Sequence, residues 1–232
     1  GGGEVARTVQ RFRHYASSSR HFQQEKCTVR PCVLLRQWQK RPGSPSLLPM
    51  EKTEAILISR ARHSETTLIV SWCSADLGLF QTIAKGALRP KSPFAGLLDL
   101  FISAEIRFAR ARTGDLHTLA EARWTSPRLG LRQSYGRVLA ATYLVKLVRL
   151  VAEPHAPLPE IHRLLSKALD YLETHEPSPA LVERFELRLA EDLGLVGGGA
   201  TPQGASARAI EENFHRRLPE QRRQLLEWMA AR

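Results

Sequence analysis

The stretch LDLFISAEIRF, residues 98–108, alternates between apolar side chains and a second set that is mostly polar. A period of two is typical of a β-strand that buries one face, because successive side chains of a strand point to opposite sides of the sheet. The face expected to be buried carries Leu98, Leu100, Ile102, Ala104, Ile106 and Phe108. The opposite face carries Asp99, Phe101, Ser103, Glu105 and Arg107. The stretch therefore predicts a half-buried strand.

Four shorter β-prone runs surround this strand, at residues 53–60, 66–72, 77–84 and 116–123. Turn signals separate several of them, with SAD at residues 74–76 and TGD at residues 113–115. Five strands whose longest connection lies between the third and the fourth match a five-stranded barrel of the OB type, whose open face and loops bind oligonucleotides. An SH3-like barrel fits the pattern almost as well.

The period becomes helical after Ser126-Pro127. Residues 134–151 are apolar nearly all round, which predicts a central buried helix, and residues 159–172 carry a single apolar stripe. Ser178-Pro179 predicts the start of a third helix and Gly194 its end. Two shorter helices are predicted at residues 205–214 and 220–231, after the flexible segment 197–204. The predicted fold class is α+β and multidomain, with a five-stranded OB-type β-barrel at residues 50–125 and an all-α helical domain at residues 126–232.

Residues 1–49 differ from the rest in composition, with nine Lys/Arg against two acids and no sustained apolar period. We expect a disordered basic leader there. Three interpretations stay open: a start codon placed too far upstream, with Met50 as the true start; a basic tail that helps to bind nucleic acid; and a targeting peptide. Residues 50–232 have a net charge of only +4, so the overall charge of +11 says little about the folded part.

The sequence offers little for catalysis or metal binding. Three cysteines without a C-x-x-C pair predict neither a disulfide framework nor a zinc site, and they suit a reducing cytoplasm. No apolar run is long enough for a membrane span, and no phosphate-binding glycine motif is present. Four histidines are separated singles at surface-like positions, namely His155, His162, His175 and His215. Glu105 and Glu121 are expected to form cross-strand ion pairs with Arg107 or Arg123. We therefore expect a protein that is not an enzyme.

Binding is the better hypothesis, and it centres on the loop KGALRPKSPFAG at residues 85–96. Its three cations lie next to glycines that let a ligand approach the backbone, which suits phosphate oxygens, although a solvated connection is the plain alternative. The cations predicted to line a groove along the barrel are Arg60, Arg62, Lys85, Arg89, Lys91, Arg107, Arg110 and Arg112. Phe80, Phe94 and Phe101 lie at polar-faced or loop positions, where they would either stack on bases or pack on the helical domain. Trp72 and Phe108 are expected in the core.

Several of these segments resemble the bacterial recombination and repair family RecO. The resemblance lies in ETT at 65–67, DLGL at 76–79 and AKGALRPKS at 84–92, with a weaker match at 185–195. It implies an OB domain on a helical domain, binding of single- and double-stranded DNA, annealing of complementary strands, and no catalytic residue. It also implies RecR and single-strand binding protein as partners in loading recombinase onto gapped DNA. By position, Lys85, Arg89 and Lys91 match the family's basic loop, and Arg60 and Arg62 match basic positions at the end of its first strand.

The sequence departs from the family at one point. Many members carry a four-cysteine zinc site after the helix that ends near residue 194, and here that place holds the glycine-rich segment 197–204. We therefore expect no zinc and no other cofactor. A protein-interaction scaffold and an RNA-binding OB protein remain as alternative functions.

Overall fold

A computed structural model of the 232-residue chain describes residues 50–197 and 202–232. The predicted leader and the middle of the predicted flexible segment lie outside these residues. The described strands are β1 (Met50–Arg62), β2 (Leu68–Ser74), β3 (Gly78–Ala84), β4 (Ser103–Ala109) and β5 (Leu116–Ser126). A short 3-10 helix (Leu129–Gln133) is followed by α1 (Tyr135–Val151), α2 (Pro159–Thr174), α3 (Pro179–Asp192), α4 (Ala205–Phe214) and α5 (Gln221–Ala230).

The five strands close into a barrel in the order β1-β2-β3-β5-β4. β1 pairs antiparallel with β4 through its first half and with β2 through its second half. A register shift between Leu57 and Ser59 lets the strand bend from one partner to the other. The barrel closes where β3 pairs in parallel with β5. This arrangement confirms the predicted OB-type barrel followed by helices.

The barrel interior is a tightly filled apolar core. Trp72 and Phe108 are fully buried in it, as predicted, and the Trp72 indole donates a hydrogen bond of 2.8 Å to the Thr82 hydroxyl. The Phe80 and Phe108 rings lie with their centroids 5.2 Å apart. These contacts hold β2, β3 and β4 together and so position the loops that connect the strands.

The helices form a second apolar core around α1, which buries side chains on most of its faces as its composition predicts. Ile56, Ile58 and Cys73, on the outside of β1 and β2, belong to this second core. The barrel and the helices therefore pack against each other and form one compact unit. The boundary at residue 125 between two domains stays a prediction.

The predicted helix signals are confirmed in detail. The apolar stripe of α2 is buried at Ile161, Leu165 and Leu172. At the start of α3 the Ser178 hydroxyl accepts a hydrogen bond of 3.3 Å from the Leu181 N–H. Gly194 follows the helix with φ of 69°, a conformation that glycine adopts at low cost. Within the described ranges, no helix is both long and apolar enough to cross a membrane.

The prediction of one continuous strand over residues 98–108 is wrong in its first half. β4 begins at Ser103, and Phe101 has φ of 69°. The Phe101 N–H donates to the Leu57 carbonyl at 2.8 Å, and the Leu57 N–H donates to the Ile102 carbonyl at 2.9 Å. These two bonds turn the chain onto β1, and Phe101 and Ser103 are buried although they belong to the face predicted to be polar. The alternation holds for Ala104, Ile106 and Phe108.

Candidate nucleic-acid interface

The basic loop, residues 85–96, begins directly after β3 and folds into consecutive turns. The Arg89 N–H donates to the Gly86 carbonyl at 3.1 Å, and the Ser92 N–H donates to the Arg89 carbonyl at 3.0 Å. Gly86 has φ of 70° and Gly96 has φ of 73°, so both glycines supply backbone conformations that other residues rarely adopt. Lys85, Arg89 and Lys91 are exposed, and none of them forms an ion pair with a described residue.

A backbone contact holds this loop against the β1–β2 hairpin. The Leu88 N–H donates to the Thr66 carbonyl at 3.0 Å. Arg62 lies in the same hairpin, where its guanidinium donates to the Ser64 and Glu65 carbonyls at 3.2 Å each. The strand register also places Arg62 near the basic loop, since Leu68 pairs with Arg62 on one side and with Ala84, the residue that precedes Lys85, on the other. We call the surface formed by Arg62, Lys85, Arg89 and Lys91 the basic edge.

The aromatic side chains proposed for base stacking do not lie on this edge. Phe80, Phe94 and Phe101 are 3%, 6% and 6% exposed, so none of these rings is available to stack on a base, and Phe101 follows the alternative of packing on the helical domain. Phe94 packs into the barrel core together with Ala87 and thereby anchors the basic loop from inside. Phe101 packs into the helical core instead. The loop therefore contributes Ala87 and Phe94 to the barrel core, which buries the ring.

The remaining predicted cations are not gathered with the basic edge. Arg60 is held by the Leu98 carbonyl at 2.7 Å and by Asp99 at 3.4 Å. Arg107 pairs with Glu121 at 3.4 Å. Arg110 pairs with Glu51 at 2.8 Å. Arg112 is exposed and has no ion pair in the described part of the chain.

Position along β1 explains this separation. β1 has 13 residues, with Met50 at one end paired to Ala109 of β4 and Arg62 at the other end paired to Leu68 of β2. Arg110 and Arg112 follow Ala109, so they lie beyond the end of β1 that is opposite to the basic edge. The eight predicted cations therefore do not line one groove: four form the basic edge, Arg110 and Arg112 lie at the opposite end, and Arg60 and Arg107 are paired with acids.

The outer face of β1, β4 and β5 is balanced in charge. Glu105 pairs with Lys52 at 2.8 Å and with Arg123 at 3.4 Å, which confirms the predicted cross-strand ion pairs. The hydrogen bond from Lys52 lowers the pKa of Glu105, so the carboxylate stays ionised at neutral pH. Because the cations of this outer face are paired with acids, the face offers little free positive charge to a phosphate backbone.

Arg128 was missed by the sequence reasoning, because a single arginine between a proline and a leucine carries no pattern. It is 1% exposed and has φ of 45°. Its guanidinium donates to the Phe101 carbonyl at 2.8 Å and the Ser103 hydroxyl at 2.9 Å in the barrel. It also donates to the Asp170 carboxylate at 2.7 Å and the Ser166 hydroxyl at 2.9 Å on α2. Arg128 therefore joins the barrel to the helices.

The remaining groups that could act as nucleophiles or metal ligands are Cys73 and the histidines. Burial raises the pKa of Cys73 to about 12, so its thiol is protonated at neutral pH. His155, His175 and His215 are exposed as predicted, but His162 is half-buried and its Nε2 atom lacks a hydrogen-bond partner among the described residues. Within those residues, no three His, Cys, Asp or Glu side chains are grouped as metal ligands would be.

A closed OB-type barrel with unpaired cations at one edge, packed on a helical bundle, is the architecture of an OB-fold binding protein. Comparison with known proteins agrees. The family model described as "Recombination protein O N terminal" matches residues 50–128, and that described as "Recombination protein O C terminal" matches residues 132–196. The chain belongs to the RecO family.

Several relatives named "DNA repair protein RecO" are similar to the chain. The protein from Anaeromyxobacter sp. (strain K) is 30% identical over 148 residues, which cover 62% of this chain and 57% of that protein. The protein from Syntrophus aciditrophicus is 28% identical over 137 residues, covering 59% of this chain and 53% of that protein. The protein from Methylococcus capsulatus is 29% identical over 154 residues, covering 66% and 61%. The chain thus spans between about half and three fifths of the length of these relatives.

Proposed function

We propose that this chain is a non-enzymatic DNA-binding protein of recombinational repair. It binds single- and double-stranded DNA, anneals complementary strands and helps to load recombinase onto gaps coated with single-strand binding protein. Its partners are RecR and single-strand binding protein, it works in the cytoplasm, and it needs no cofactor. Membership of the RecO family and the name of the similar proteins support this proposal.

One observation carries the proposal for this chain itself. The three cations of the basic loop are exposed and unpaired with any described residue, and Leu88 ties their loop to the hairpin that carries Arg62. Four positive charges on one edge of an OB barrel match the spaced negative charges of a phosphate backbone. Phosphate contacts carry no base information, so the binding tolerates any sequence.

The test is the anisotropy of a labelled single-stranded oligonucleotide, titrated with the whole chain from about 50 to 200 mM salt. The variant changes Lys85, Arg89 and Lys91 together to Ala. Each phosphate contact to a single strand contributes about −0.7 to the log–log salt slope, so the three changes should make the slope less steep by about 2. Residues 1–49 are present in both proteins, so their contribution cancels in this difference.

A matched control changes Lys52, Arg123 and Arg223 to Ala, which lowers the net charge equally but removes cations that are already ion-paired. Its salt slope should stay within about 0.5 of the wild type. Equal slopes for the loop variant and the control would overturn the proposal and favour a protein-interaction scaffold. Stronger binding of an RNA oligonucleotide of the same sequence would favour the RNA-binding alternative.

A further inference from the structure

The consecutive helices α2 and α3 leave between them a groove of about 500 Å³, which we call the α2–α3 groove. Its floor is apolar and includes Leu164, Leu181 and Phe185. The charged side chains that line it are Glu160, Arg163, Lys167, Arg184, Arg188 and Asp192. These six residues carry a net charge of +2, so the groove is a concave and positive surface outside the barrel.

Two of the four cations are free to bind a ligand. Arg163 forms an ion pair with Glu160, and Arg188 forms one with Glu191 at 2.8 Å. Lys167 and Arg184 are exposed and have no ion pair with another residue that the structure describes. One free cation therefore projects from each helix.

An exposed stack of two rings lies next to these cations. Tyr171 lines the groove and is 44% exposed, and the ring of His175 stacks on it with centroids 4.2 Å apart and an angle of 6° between the planes. Lys167 and Tyr171 are four residues apart and therefore share one face of α2, and His175 follows directly after the helix ends. Flat rings beside free cations are the two features by which proteins bind single strands without sequence preference.

We propose that the α2–α3 groove is a second binding site for single-stranded nucleic acid, in which a base stacks on the Tyr171–His175 pair and Lys167 and Arg184 bind the flanking phosphates. This inference rests on the proposed function and deepens it, because the basic edge then holds one strand and the groove holds another. Two strand sites on one chain bring complementary strands together. The site also supplies the exposed rings that the barrel lacks at Phe80, Phe94 and Phe101.

An acidic peptide with apolar residues is the other ligand whose chemistry suits a cationic rim over an apolar floor. The exposed ring pair favours nucleic acid, since a base offers a flat partner for the stack and a carboxylate does not. The experiment must therefore detect the base itself as well as the negative charge.

The test uses the whole chain carrying Lys85→Ala, Arg89→Ala and Lys91→Ala, so that the remaining binding reports on other sites. In this background Tyr171→Ala should weaken binding of a single-stranded oligonucleotide roughly tenfold, because stacking stabilises each base by about 1–3 kcal/mol. Tyr171→Phe, which keeps the ring, should bind like the background protein. With an oligonucleotide of the same length made of abasic nucleotides, Tyr171→Ala should have no effect, since no base remains to stack.

Charge is tested separately, in the same background. Lys167→Ala with Arg184→Ala should make the log–log salt slope less steep by about 1.4, whereas Asp192→Asn should strengthen binding severalfold at low salt. The matched controls are Tyr135→Ala, which removes a tyrosine that is 66% exposed elsewhere, and Lys52→Ala with Arg223→Ala. Both controls should bind like the background protein.

The results distinguish this inference from the proposed function. If the loop variant weakens binding and no groove variant weakens it further in that background, the second site is overturned while the proposed function stands. If the groove variants weaken binding and the loop variant does not, the proposed role of the basic edge fails. If Tyr171→Ala leaves oligonucleotide binding unchanged but abolishes binding of an acidic peptide with apolar residues, the groove is a protein-docking site and the inference is overturned.

Discussion

Replacing Arg128 by alanine should strongly destabilise the protein. The guanidinium is 1% exposed and makes four hydrogen bonds, two to the barrel and two to α2. Hydrogen bonds to a charged group contribute about 1.5–3 kcal/mol each. Water cannot replace the two buried ones, to the Phe101 carbonyl and the Ser103 hydroxyl, so they alone account for about 3–6 kcal/mol.

The other two contacts cost less to lose. The side chain of Asp170 is 53% exposed, so water solvates this carboxylate once the arginine is removed. Alanine at φ of 45° keeps the backbone strain of the original residue, so that contribution cancels. We expect Arg128→Ala to lower the free energy of unfolding by about 4 kcal/mol, a large part of the 5–15 kcal/mol typical of a whole protein.

Urea unfolding followed by far-UV circular dichroism measures this change. With a slope of about 2 kcal/mol per molar urea, the midpoint should fall by about 2 M. Arg107→Ala is the matched control, since both Arg107 and its partner Glu121 are exposed, and losing this surface pair should cost less than about 1 kcal/mol. The reasoning is refuted if Arg128→Ala is no more destabilising than Arg107→Ala, because Arg128 would then not join the barrel to the helices.

Two further predictions concern pH and backbone conformation. Burial lowers the pKa of His162, so as pH falls the unfolded chain takes up a proton before the folded protein does, and the free energy of unfolding decreases below about pH 6.5. Urea unfolding at two pH values should show a smaller decrease in the free energy of unfolding for His162→Gln than for the wild type. An equal decrease would contradict this prediction. Gly78→Ala should cost more than about 2 kcal/mol, because φ is 65° and a Cβ atom would lie 1.9 Å from the Ala156 carbonyl oxygen. Gly114→Ala, with φ of 76° and open space around the Cβ position, should cost only about 1–2 kcal/mol in the same assay.

Much of the fold could be predicted from the sequence, because local periodicity depends on which face of an element is buried. The stripe of α2 and the alternation of Ala104, Ile106 and Phe108 are properties of one segment at a time. The cap at Ser178 depends on its own hydroxyl and the next three residues. Each of these predictions was confirmed because no distant residue changes its outcome.

The candidate site was predicted less well, because it depends on residues that are far apart in the chain. From sequence, Phe94 is expected to be an exposed loop residue. In the fold its ring is buried, because it packs into the barrel core. From sequence, Arg110 is expected to be a free cation. In the structure, strand pairing places Glu51 2.8 Å from it, and the two form an ion pair. Arg128 became visible only when the barrel and α2 had both been placed.

One signal in the sequence would have separated the free cations from the paired ones. Residues 77–98 contain no acid, and this interval includes Lys85, Arg89 and Lys91. By contrast, Arg107 and Arg110 lie in or next to strands whose neighbours carry Glu51, Glu105 and Glu121, and these strands pair in register. Because strand register brings acids opposite the cations of the barrel, a barrel cation stays available mainly where acids are absent from its segment and its strand partners. The net charge of a domain therefore says less about where it binds an anion than the spacing of its acids does.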